Sequence, residues 1–198
     1  MKGILSLLKM KARSGKPSDD HTDSVLFSTA FAGQGVDDSM LVPWEARAVE
    51  VGAKRLPTSR GGKLLQGLWA KDKYMAHLDK DAVERMERFF EFAAVPSNRD
   101  VIRQDEYGNF MVVLLTGTIA VDRVQPWGEQ LRLAETRPGD ILGEMSLLDS
   151  GIRFSACTTL TDCEIAVLSA EAMDDMMTKD PQLAASLIAL LARKLSLR

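Results

Sequence analysis

The stretch Gly139-Asp140-Ile141-Leu142-Gly143-Glu144-Met145-Ser146-Leu147-Leu148, with Arg153 just beyond it, sets one carboxylate and one guanidinium nine residues apart. They flank a short helix-forming segment that leads into a strand. A carboxylate accepts from a sugar hydroxyl, and a guanidinium donates a planar fork to a phosphate. The first turn of a helix adds backbone N–H groups without intrahelical acceptors and a field that favours anions. A ribose carrying a cyclic phosphate is one small ligand that uses all three. Glu144 lies among Gly143, Met145, Leu147 and Leu148, and in that apolar setting a carboxylate needs a partner. Gly143 suits either a tight turn or the close approach of a ligand to the backbone.

Around this stretch, residues 95–168 read as short β-rich runs, broken at 103–108, 125–129, 137–140 and 160–162. Short strands at such spacing, with no long helices between them, predict a barrel or jelly roll. Upstream, Leu78, Val83, Met86, Phe89 and Phe90 recur at helical steps, with Asp79 or Asp81 as candidate N-cap. Downstream, Ser169 opens a helix and Pro181 another, the proline standing where its missing N–H costs nothing. Leu183, Leu187, Leu190, Leu191 and Leu195 form a stripe on that last helix.

The segment 139–153 resembles the phosphate-binding cassette of the cyclic nucleotide-binding domain family. Arg99–Gln104 is similar to that family's first strand, Met111–Val121 to its strand-Gly-strand segment, and Arg153–Ser169 to its last two strands. The closing helices resemble residues 180–195, so the likeness covers roughly 66–198. It implies a mainly β fold with flanking α-helices: an eight-stranded jelly roll, a helical segment before it and two helices after it. It also implies a ligand site at Gly143, Glu144, Met145, Ser146, Arg153, Phe154 and Ser155. There Glu144 would take the ribose hydroxyl and Arg153 the cyclic phosphate, with backbone groups of Gly143, Met145 and Ser155 assisting. The ligand would be cyclic AMP or cyclic GMP, with no metal. The base would be covered by a side chain of the last helix, with Leu187, Leu190 and Leu191 as lid candidates.

One departure keeps an alternative open. Phe154 stands where the family often carries a small or hydroxylated residue, which favours a degenerate fold acting as a nucleotide-independent protein-interaction scaffold. A cyclic dinucleotide receptor, with Arg132 or Arg137 on a second phosphate, is a third possibility that their spacing does not single out. The last helix ends at Arg198, which leaves no room here for a helix-turn-helix, so DNA is not an expected partner.

Residues 1–65 carry no sustained core pattern and read as a flexible N-terminal segment, with linkers at 11–20 and 55–62 and a short docking helix near 40–51. Lys2, Lys9, Lys11 and Arg13 beside Ile4, Leu5, Leu7 and Leu8 suggest at most a weak membrane-surface contact. A net charge of −3 proposes no nucleic-acid partner. Without a signal peptide or spanning segment, the chain is expected to be cytoplasmic. Cys157 and Cys163 fall where the family carries core aliphatics, and His21 and His77 lie outside the strand region, so no enzyme constellation emerges. The reading is therefore a non-catalytic cyclic-nucleotide sensor that moves its C-terminal helices about a hinge near 178–181. It would act on an unidentified effector protein, with a homodimer through the last helix as a further option.

Overall fold

The computed structural model describes residues 26–73 and 75–196. Nine strands form two antiparallel sheets, and strands β2–β9 are the eight of the expected jelly roll. In the five-stranded sheet, β1 (Lys54–Arg55), β2 (Glu91–Val95), β9 (Cys163–Ser169), β4 (Phe110–Thr116) and β7 (Ile141–Leu142) follow one another. In the four-stranded sheet the order is β3 (Asp100–Ile102), β8 (Ala156–Thr159), β5 (Ile119–Val124) and β6 (Gln130–Glu135). The β4–β9 register sets Val112 opposite Val167 and Leu114 opposite Ile165.

Side-chain alternation along β4 feeds two cores at once. Phe110, Val112 and Leu114 join Ile165 and Val167 in a cluster with Val101, Ile119 and Cys157. Met111, Val113 and Leu115, with Ala166 and Leu168, face a second cluster built largely from helices. A strand buried on both faces reads as an unbroken apolar run, which is what residues 110–115 show.

The helices are α1 (Phe27–Gly33), α2 (Trp44–Val51), α3 (Thr58–Trp69), α4 (Lys80–Met86), α5 (Glu144–Asp149), α6 (Ala170–Lys179) and α7 (Pro181–Ser196). Asp79 caps α4 by accepting from Ala82 N at 2.6 Å, and Ser169 caps α6 by accepting from Ala172 N at 3.1 Å.

Two sequence expectations need correction here. Residues 55–62, read as a linker, form part of β1 and the first turn of α3, and the boundary placed after residue 65 falls inside that helix. Gly61 and Gly62 are contact residues: a Cβ on the first would lie 2.2 Å from the Phe92 ring, and on the second 2.3 Å from the Glu87 carboxylate. What looked like helix breakers lets α3 press onto β2. The stripe on α7 is likewise spent within the chain. Leu183, Leu187, Leu190 and Leu191 are buried in the helical core with Trp69, Met173 and Leu147, so they offer no exposed face for a dimer. The N-terminal stretch read as a membrane contact lies outside the described residues. Among the described residues, no helix is long and apolar enough to cross a membrane.

Candidate functional site

The cassette residues gather around a cavity of about 600 Å³ between α5 and the four-stranded sheet. Gly143 precedes α5 in the left-handed region, φ 74°, and a Cβ there would lie 2.5 Å from Arg153 Nη1. The turn expected of Gly143 is present, and its missing Cβ also leaves room for a close neighbour. The atom that approaches is the arginine rather than a ligand.

Arg153 is 3% exposed. Its Nη1 donates to Gly143 O at 2.8 Å and to Ser146 Oγ at 2.6 Å, and its Nη2 donates to Phe110 O at 2.6 Å. The Phe110 ring lies beneath the guanidinium, 4.6 Å from its centroid. All three acceptors are uncharged. Burial pushes the guanidinium down to about 10, with the Arg47 charge adding to that and Cys157, Glu106 and Glu144 opposing it. At neutral pH it is still a cation, buried on the wall of a cavity. Glu144, also 3% exposed, and Ser146 line the same cavity. The site can thus present a cation, a carboxylate and a hydroxyl to one small anionic ligand.

Met145, Phe154 and Ser155 line the cavity too. Phe154 is 52% exposed at its mouth, where Arg123 lies 3.9 Å from the ring centroid and donates to the Phe154 carbonyl. Its ring turns outward and stacks on a cation. All seven expected ligand residues are therefore together.

The lid candidates are not with them. Leu187, Leu190 and Leu191 lie in the helical core and none lines the cavity, because α7 packs along the far face of the five-stranded sheet. Arg132 is held by Asp122 and Glu135, and neither it nor Arg137 reaches the cavity wall. Sequence reasoning missed Phe110 and its partner Trp44, whose rings meet edge-on at 5.6 Å. It also missed the walls Val121, Leu133, Ala134 and Thr136. Cys157 and Cys163 are both buried, neither is in a disulfide, and burial raises the Cys163 thiol. Among the described residues, no group of three or more His, Cys, Asp or Glu side chains could hold a metal ion.

The arrangement is a jelly roll in which a short helix and a buried arginine border a largely apolar cavity that carries a few polar groups. Residues 93–180 match the family model of the cyclic nucleotide-binding domain. The chain is 31% identical over 107 residues to the cyclic AMP receptor protein of Thermus thermophilus, covering 54% of this chain and 50% of that protein. It is 28% identical over 100 residues to the CRP-like cAMP-activated global transcriptional regulator of Mycobacterium tuberculosis, covering 50% of this chain and 45% of that one. A solved cyclic nucleotide-binding domain from Methylobacillus flagellatus shares the fold at a TM-score of 0.69 and 22% identity, covering 74% of this chain and 83% of that one. The chain spans about half the length of the curated relatives it matches.

Proposed function

We propose that the chain is a non-catalytic sensor of a cyclic mononucleotide, cyclic AMP or cyclic GMP, that signals through a partner protein. The observation that carries this reading is the buried Arg153 cation, whose hydrogen-bond acceptors are all uncharged, on the wall of a cavity that also holds Glu144. None of those acceptors carries a charge, and a cyclic phosphate would give the guanidinium a charged one. Glu144 then accepts from the ribose 2′-hydroxyl, and Ser146 and Ser155 stand within the same cavity. Signalling needs a ligand that favours one arrangement over another. Leu147 of α5 lies in the same core cluster as Met173 of α6 and Leu183 and Leu187 of α7. A shift of α5 on ligand binding is thus felt by the C-terminal helices through packing, without any of their side chains covering the base.

A second reading, a scaffold of the same fold that binds no nucleotide, is favoured by the contacts Arg153 already makes. Gly143, Ser146 and Phe110 occupy donors that a phosphate would otherwise take.

Calorimetric titration of the purified chain with cyclic AMP, cyclic GMP and cyclic di-GMP separates the two, with Arg153→Ala as the control. The expected outcome is binding of one mononucleotide, weakened by about tenfold or more in the variant. The burial of Arg153 alters what that variant does to the empty protein. On exposed-loop reasoning its loss would leave the apo protein nearly unchanged. With three acceptors losing their partner it should cost on the order of 2 kcal/mol. Absence of heat with every nucleotide, from a folded wild-type protein, leaves the scaffold as the better account.

A further inference from the structure

The contacts that hold Arg153 do not end at the cavity wall. They run outward through the loop 104–109 into residues 41–51, which precede the family-matched stretch. The loop grips the arginine by its backbone: Arg153 N donates to Glu106 O at 2.8 Å, and Asp105 N donates to Arg153 O at 2.9 Å. Tyr107 forms a bridge to Ile152 on one side and to Leu41 on the other, and Val42 N donates to Tyr107 O at 2.9 Å. The N-terminal segment is therefore laid against the loop that holds the phosphate arginine.

Side chains repeat the connection. Arg47 of α2 is 1% exposed; its Nη1 meets Glu50 at 2.5 Å and its Nη2 meets Glu106. Arg103 closes the cluster from outside by pairing with Glu50. Trp44, one turn earlier on α2, stacks edge-on against Phe110, whose carbonyl accepts from Arg153 and whose ring lies beneath it. Arg47 Nε is buried and has no hydrogen-bond partner. An apolar side chain would anchor a helix without that unmet donor. A guanidinium in this place fits a role that needs its fork, namely holding Glu106 and Glu50 together.

We propose that Arg47 is a positioning residue for nucleotide binding: through Glu106 it fixes the loop that fixes Arg153, so that residues 41–51 form the rear of the phosphate site. This rests on the reading of Arg153 as the phosphate ligand. The segment then has a direct means of sensing or setting occupancy, because any displacement of α2 loosens the arginine that the phosphate meets.

The test uses the full chain and the variants Arg47→Met, Arg47→Lys, Glu106→Gln and the double variant Arg47→Met/Glu106→Gln. One arm follows the Arg153 Nε–H resonance in 1H–15N spectra of the apo protein. The other measures affinity for cyclic AMP and cyclic GMP by calorimetry. Expected is a shifted, broadened Arg153 signal in Arg47→Met, partly restored in Arg47→Lys, together with about tenfold weaker binding. The double variant should bind no more weakly than the worse single variant, because both act on the same loop. An Arg153 signal and affinity unchanged in folded Arg47→Met would overturn the proposal. Should Arg47→Met fail to fold, Glu106→Gln carries the same expectation at a partly exposed position. If the wild type binds neither nucleotide, the functional reading fails, while the apo resonance still decides whether Arg47 positions Arg153.

Discussion

The two sheets of the jelly roll share one barrel interior but differ in what lies behind them. In the five-stranded sheet, the inward residues of β4 and β9 fill the barrel and the outward ones fill a helical core built by α3, α4, α6 and α7. In the four-stranded sheet, only the inward face is packed, and every residue of β6 is exposed. Leu131 and Leu133 remain largely in solvent, with Trp127 at the adjoining turn. The cavity opens against this thinner wall, bounded by Val121 and Leu133, and meets the five-stranded sheet at Leu142 of its edge strand β7. Fixing a sheet from both sides leaves no room for a ligand and little freedom to respond to one. A sheet packed from one side keeps its shape while leaving a surface to be covered.

The sharpest test of that difference is a truncation inside the thick sheet. Leu114 is fully buried in β4, so Leu114→Ala should lower the stability of the apo protein by about 3 kcal/mol, through lost burial and the cavity left behind. Chemical denaturation followed by fluorescence measures it. A cost below about 1 kcal/mol would mean that the barrel interior relaxes around the deletion, and the two sheets would then differ less than their packing implies.

The thick sheet was also the more legible of the two. The apolar run at 110–115 and the β-rich texture around it are signatures of burial and pairing that a sequence carries locally. Gly143, Glu144 and Arg153 were legible for a related reason, since their chemistry and spacing lie within one short segment. Residues 26–65 were not, because their order comes from distant partners. Asp174 supplies the hydrogen bonds at the start of α1, Phe92 and Glu87 receive Gly61 and Gly62, and Glu106 receives Arg47. The surroundings of the lid candidates were illegible for the opposite reason. A leucine stripe shows that a helix face is buried without showing against what, and the α7 stripe is buried against its own chain.

A smaller effect is expected where α1 ties the thick side to the cassette. The Asp174 carboxylate on α6 accepts from Leu26 N, Phe27 N and Ser28 N at 2.8 Å each and from Ser28 Oγ at 2.7 Å. At the other end of α1, Gln34 Nε2 donates to Asp149 O at 2.6 Å, at the close of α5. Asp174→Ala removes the acceptor for all four donors and should cost about 1–2 kcal/mol. Limited proteolysis near residues 26–34 should accelerate before the rest of the chain is cut. Unchanged cleavage would show that packing of Phe27 and Phe31, rather than the carboxylate, holds α1 in place.

Acid probes the thick side at its rim. The Arg85 guanidinium beside Asp180 holds that carboxyl below the usual carboxylate range, helped by the backbone N–H of Leu183. A carboxyl depressed in the folded state binds its proton less readily there than in the unfolded chain. Its stabilisation is therefore present above the unfolded value of 3.8 and disappears as pH falls through the lower folded one. Asp180→Asn should lower neutral melts slightly and converge with the wild type below about pH 4, which flattens this part of the acid limb. An unaltered acid limb would place the acid sensitivity in other carboxylates.

The smallest stability effect should come from the thin wall itself. Leu133 lines the cavity yet is largely exposed, so Leu133→Ser removes little burial and creates no enclosed void. Its effect on the apo melt should stay within about 0.5 kcal/mol, as for surface positions in general. The same side chain forms part of the apolar surface that a bound base would cover. Nucleotide affinity should therefore fall by a few-fold while the fold is untouched, a separation that Leu114→Ala cannot show. A stability loss comparable to that of Leu114 would make β6 a packed strand, whereas unchanged affinity would move the base elsewhere in the cavity, toward Met145 and Phe154.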